Sequence, residues 1–363
     1  MGMFSTTSTR EVHSAGGGSL QDWRIAVEVS GIAAGPEPLQ ARAQALLEPL
    51  HQLLPYDGAW IAVLDDERRR HHTLARHGFD QRTVDYLDGP VLVDEIEELG
   101  MYRSQRALRV ADFARPPEAL RSWAECLLPA GFREGLGVCL FEPDGRHVGF
   151  LGLFTGDRTV PREPARELLA RLAPLLARAV DPLRSPTAVA RVVHDATSAV
   201  AVTRTGKVLP LPGAPGHILL RRGSAVVRAA LELLAGAHTT FLAPDPSSAV
   251  GHVRVTALRA PNEAPHHLTA VLAVSPAGDL HGLTHRELEI LGLLIAGWTN
   301  EHIAADLFIA GRTVATHVEH ILTKLEAGNR ALAAVRAQRQ GLFVPPALLA
   351  HARDGPAARP GRG

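Results

Sequence analysis

Arg312, Thr316, Glu319, His320 and Thr323 share one face of a helix that the sequence predicts after Gly311. At 100° per residue they fall opposite the apolar stripe Val314, Val318, Ile321, Leu322 and Leu325. A guanidinium, two hydroxyls, a carboxylate and an imidazole on one exposed face are hydrogen-bonding groups of the kind that read base edges in a duplex groove. His317, Glu319 and His320 also suggest a metal site, but two histidines three residues apart with no third converging ligand make an ordinary helix surface. Asp65 and Asp66 could serve as paired carboxylates; beside Glu67 and the run Arg68 to His72 they read instead as a solvated hairpin tip. Cys126 and Cys139 lack the paired spacing of a zinc site and are read as small buried hydrophobes. No nucleophile and base stand in a catalytic constellation, so neither an enzyme nor a cofactor is expected.

The helix that carries this face is the third of a closely spaced set. Thr284 and Glu287 form the capping box of a first helix over 284–295, with Leu288, Leu291, Leu294 and Ile295 on its apolar side and Gly297 to end it. Thr299 caps a second helix, whose Ile303, Ala304 and Leu307 face inward, and the connection 308–311 is short. A helix fits the major groove of B-DNA, so the exposed face of the third helix is available to base edges while the helix before it would lie across the backbone. Thr299, at a positive helix start, is placed to meet a phosphate.

The run Leu283-Thr284-x-Arg286-Glu287, then Gly297-Trp298-Thr299-Asn300, Ile303-Ala304, Leu307, Thr313-Val314, His317-Val318, Ile321-Leu322-x-Lys324-Leu325 and Asn329-Arg330, resembles the LuxR-type DNA-binding domain over about 283–343. The resemblance implies an all-α four-helix domain that binds double-stranded DNA, with contacts from Thr299, Asn300, Arg312, Thr313, Thr316, His317, Glu319, His320 and Lys324. It also implies a fourth helix from Arg330 to about Gln340 that supports a homodimer. Two departures bear on affinity. Ala310 stands where the family usually has a serine cap, and Ala315 replaces a common lysine. Over 281–345, basic Arg286, Arg312, Lys324, Arg330, Arg336 and Arg339 are balanced by acidic Glu287, Glu289, Glu301, Asp306, Glu319 and Glu326. A regulator with weak or no autonomous DNA binding is therefore the alternative reading.

A chain of 363 residues exceeds one ordinary core, since domains run to about 100 to 200 residues. Upstream, 39–54 predicts an amphipathic helix ended by Pro55, and 59–64 with 73–77 a hairpin. A second hairpin, 136–141 with 148–154, turns at Pro143-Asp144-Gly145, and a leucine-striped helix covers 162–180. Strands framed by helices imply an α+β domain over 20–183 that is similar to a GAF sensor, a family that binds small molecules, though no residue names a ligand. After an expected linker at 184–186, strands at 199–203, 208–211, 240–243, 252–258 and 268–274 with a helix at 226–234 predict a small α+β module over 184–278, similar to a PAS domain. The chain is thus expected to be multidomain, with loose tails at 1–19 and 346–363 and a DNA-binding domain over 279–345. From 277 onward the caps and apolar pattern are complete enough to predict an autonomous fold. No uninterrupted apolar run reaches the roughly 18 to 20 residues of a membrane span and the start lacks a signal-peptide pattern, so a cytoplasmic location is expected.

Overall fold

The computed structural model describes residues 20–349 apart from 105, 246, 249 and 250; the predicted tail 1–19 and most of 346–363 lie outside the described residues. The chain forms two compact units, Met1–Asp181 and Pro182–Gly363.

The first unit opens with helices α1 (Leu20–Ala34), α2 (Leu39–Ala45) and α3 (Leu47–Leu53), then β1 (Gly58–Asp65) and β2 (Arg70–His77). The single helix expected over 39–54 is two, joined at Leu46, which is fully buried. Three short helices follow, α4 (Gln81–Leu87), α5 (Pro90–Glu98) and α6 (Met101–Ser104), then β3 (Leu108–Arg109), a π-helical turn at Trp123–Leu127, β4 (Glu134–Phe141), β5 (His147–Thr155) and α7 (Glu163–Ala179). The sheet is antiparallel in the order β2-β1-β5-β4-β3. Side chains alternate along β1, so Trp60 and Ala62 face the short helices while Ile61 and Val63 point to the other side. On that other side α7 lies along β4, burying Leu168, Leu169, Leu172 and Leu176. Both faces are covered, which explains why β1 and β5 are apolar almost without interruption.

In the second unit α8 (Arg184–Val192) occupies the expected linker, its helix beginning at Arg184. Then come β6 (Ser198–Thr203), β7 (Val208–Pro210), α9 (Ala225–Leu233), β8 (His238–Pro244), β9 (His252–Arg259) and β10 (Leu268–Pro276), followed by α10 (His285–Ile295), α11 (Asn300–Leu307), α12 (Gly311–Lys324) and α13 (Arg330–Gln340). The sheet runs β7-β6-β10-β9-β8, again antiparallel throughout.

The sheet module and the terminal helices pack together within this unit. Val255, Leu272 and Phe241 from the strands and Leu288, Ile303, Val314 and Phe343 from the helical end belong to one buried core. After α13 the chain turns at Gly341, φ +64°, and Leu342, Phe343 and Val344 run back over the sheet edge. There the Leu242 N–H of β8 donates to the Phe343 carbonyl at 2.9 Å, satisfying an edge-strand donor. Val344 N–H donates to the Leu288 carbonyl at 3.1 Å, and a Cβ on Gly292 would fall 1.9 Å from the Val344 oxygen, so glycine is what lets the returning segment lie on α10. Arg254 of β9 donates to the carbonyls of Ala277 and Gln340. Leu348 and Leu349 are buried too, so packed residues continue past 345. Apolar residues of the terminal helices are covered by the sheet, so helices and strands share one core in this unit.

Candidate functional site

The terminal helices are set as their caps require. Thr284 Oγ1 accepts from Glu287 N–H while Thr284 N–H donates to the Glu287 carboxylate at 2.7 Å, completing the capping box. Thr299 accepts from His302 N–H at the start of α11. Phe308 ends that helix in the left-handed conformation, φ 53°, and Ala310 starts α12 with no side-chain cap. Burial of Val314 and Ile321 turns the opposite face of α12 outward.

On that outward face the structure brings together Arg312, Thr313, Thr316, Glu319 and His320, all exposed, with His317 half-buried at its edge. Thr316 and Thr323 donate to the carbonyls of Arg312 and Glu319 one turn back, at 3.2 and 3.1 Å, which fixes the hydroxyl rotamers. Thr299 is exposed at its helix start, and Asn300 beside it is half-buried with its Oδ1 lacking a partner.

Lys324 is held elsewhere. Its ammonium lies 2.7 Å from the Glu287 carboxylate, which is only 2% exposed, so it fastens the end of α12 to the start of α10. Burial acts to raise the Glu287 carboxyl, but the Lys324 ammonium and the bonds from Thr284 outweigh it and hold it below the ordinary range. Other cations are spent likewise. Arg286 pairs with Glu289 and donates to the Leu307 carbonyl, Arg330 donates to that of Trp298, and Arg336 to those of Leu325 and Glu326. Among the described residues, Arg312 is the cation of α12 with no protein acceptor. Sequence reasoning found the face but could not show that its last lysine turns inward, because a four-carbon stem reaches across helices that periodicity treats separately.

The first unit holds an interior cavity of about 50 Å³ that sequence reasoning did not find. Its floor is the sheet face carrying Trp60, Phe150 and Phe154, with Gly135 and Gly137 beneath them. The roof is α5 with its C-cap, through Leu92, Ile96 and the capping Leu99, and the π-helical turn, through Trp123 and Leu127. Ser122 N–H donates to both oxygens of Glu95, at 3.1 and 3.3 Å. Beside Trp60 and Phe150 stands His71, fully buried with neither ring nitrogen bonded; burial, reinforced by nearby His147, drives its pKa down to about 3. Burial pushes the Cys139 thiol up to about 12, which suppresses the reactive thiolate.

Comparison with known proteins agrees with both halves. Residues 281–337 match the model of bacterial regulatory proteins, luxR family, and residues 37–181 that of the GAF domain. The chain is 52% identical over 60 residues to the transcriptional regulatory protein LiaR of Bacillus subtilis, covering 16% of this chain and 28% of that one. It is 45% identical over 56 residues to the HTH-type transcriptional regulator MalT of Vibrio campbellii, 15% of this chain and 6% of that one. The chain thus spans less than a third of the length of these relatives. Among solved structures, the GAF domain of a phosphoenolpyruvate-protein phosphotransferase from Coxiella burnetii aligns with 48% of this chain and 96% of its own, at 18% identity and TM-score 0.34. Escherichia coli SdiA aligns with 89% and 98%, at 17% identity and TM-score 0.30. The chain therefore combines an N-terminal GAF domain with a C-terminal LuxR-type helix-turn-helix.

Proposed function

We propose that this protein is a transcription regulator that binds specific duplex DNA as a homodimer, reading bases with α12 under the control of a small molecule bound by the GAF domain. The observation that carries the reading is the outward face of α12, where Arg312, Thr313, Thr316, His317, Glu319 and His320 stand together on a helix fixed by capped neighbours. Arg312 is suited to a guanine edge and Glu319 to a cytosine amino group. Thr299 and Asn300 are assigned to the phosphate backbone, where the start of α11 favours an anion. Lys324 belongs to the Glu287 pair rather than to DNA on this reading. The middle sheet has the strand order of the GAF sheet, which supports a PAS-like module, fused here to the reading head. Regulation without catalysis, in the cytoplasm, completes the proposal.

A second reading has a specific observation behind it. With Lys324, Arg286, Arg330 and Arg336 all committed to internal partners, a single copy offers phosphates little positive charge, and autonomous affinity is then weak. Selection of the full chain on random duplexes, followed by mobility shift, decides between them. Enrichment of a two-fold repeated site supports the regulator; no enrichment with intact folding refutes it.

A further inference from the structure

We propose that the interior cavity of the first unit takes an uncharged, apolar molecule of one-ring size, and that it excludes charged ligands, carboxylates and phosphate esters included. The assignment names the ligand class for the sensor reading above and rests on it for its meaning. Binding itself is measurable without DNA.

The walls decide the class. Nearly all the surface they offer is apolar, and no lysine, arginine or histidine is among the lining residues. An anion brought inside would lose its hydration with no counter-charge to replace it, and the Glu95 carboxylate would repel it. A cation would meet one counter-charge among the lining residues, Glu95, itself 7% exposed and holding the Ser122 N–H, and dehydrating both members of such a buried pair costs about as much as their attraction returns. Trp60, Trp123, Phe150 and Phe154 present ring faces and edges, the surface an aromatic guest meets best.

Size adds a consequence. A dry cavity of about 150 Å³ accepts benzene, whereas this one measures about 50 Å³. A ring therefore enters only if the roof moves out. The helix α5 is built for that, being bracketed by Gly89 before Pro90 and by Gly100 after it, the latter at φ +67° with open space around it. Outward displacement of Leu92, Ile96 and Leu99 with the helix is the structural change that loading produces.

The test uses the full chain and three guests of one ring each, toluene, benzoate and benzylammonium. Toluene near saturation is expected to raise the melting temperature by about 5 °C and to change the fluorescence of Trp60 and Trp123, while benzoate and benzylammonium do neither. Leu99→Trp, which fills the cavity from the roof, is expected to abolish the toluene shift with the far-ultraviolet dichroism retained. Leu92→Phe, at a half-buried lining position, serves if the larger change fails to fold. No shift with toluene, an equal shift with either charged guest, or a shift that survives in the folded variants overturns the proposal. Toluene binding that leaves affinity for a selected DNA site unchanged would uphold the cavity's ligand class and refute the regulatory reading instead.

Discussion

In the first unit, β1 and β5 turn their aromatic face toward a space that short helices roof without filling. In the second, a sheet of the same strand order closes its face with α9 and the terminal helices, and its edge strand β8 is taken up by the chain returning from α13. The difference lies in what is laid over the sheet. Helices of seven to nine residues, separated by glycine and proline, leave a gap. Longer helices with a continuous apolar face, α10 behind a capping box and α12 without a side-chain cap, close the core and leave one face of α12 outward. The same strand order thus leaves a cavity over one sheet and a closed core over the other.

The comparison breaks most decisively at Phe343. The side chain is 3% exposed, against Phe241, and Phe343→Ala is expected to cost about 3–5 kcal/mol. Helix and strand signals of the second unit are expected to be lost together in denaturant. Separate transitions for sheet and terminal helices would show two domains rather than one closed core. In the same spirit, a fragment beginning at 277 is expected to melt well below the full chain, since it exposes the face that β8 covers.

Acid distinguishes the units next. His71, neutral and buried, has a folded pKa of about 3 against an ordinary 6.5, so the unfolded chain binds its proton first. Its contribution is complete above pH 6.5 and is lost as pH falls toward 3, at up to about 1.4 kcal/mol per pH unit. His147, lowered to about 4 by burial, adds to the same slope. His71→Phe, between Trp60 and Phe150, is expected to flatten the acid limb of the first unit's stability curve; an unchanged limb would mean that the ring is not buried neutral.

Glu287→Gln probes the second unit more gently, with an expected loss of about 1–3 kcal/mol from the Lys324 pair and half the capping box. Because the folded carboxyl lies below its ordinary value of 4.5, this contribution is complete above that value and is lost as pH falls through the lower folded one. The second unit should therefore keep that part of its stability at pH 5, where the first has already weakened, as denaturation at several pH values would show. Smallest is Glu319→Gln, expected to strengthen binding to scrambled duplex by less than about 1 kcal/mol and to relax preference at one base of each half-site. Equal affinities for parent and variant on both duplexes would leave Glu319 as mere surface.

Much of this was legible in the sequence where the signal is local. Both hairpins of the first unit, the Thr284–Glu287 box, the Thr299 cap and the outward face of α12 follow from turn chemistry and helical period, and the structure places the strand ends within three residues of expectation. What escaped was nonlocal or weakly periodic. The short helix α5 begins with Pro-Val-Leu-Val, which reads as strand as readily as helix, and a cavity exists only once roof and floor meet. The use of β8 as a seat for Phe343 joins residues about a hundred positions apart, and nothing in either stretch announces the other.

The central claim, that α12 reads DNA with its outward face, is tested most directly by the ratio of affinities for a selected site and a scrambled duplex at one salt concentration. Arg312→Ala and Thr316→Ala are each expected to lower that ratio by roughly 5- to 150-fold, the equivalent of a base contact worth about 1–3 kcal/mol. Their melting temperatures should not change, because both side chains are exposed. For the parent, the fall of log K with log salt should be shallower than the slope of about −10 of a strongly basic repressor, as few free cations on the reading head imply. Folded variants that keep the parent's ratio would contradict the account, since the face of α12 would then not be what meets the bases.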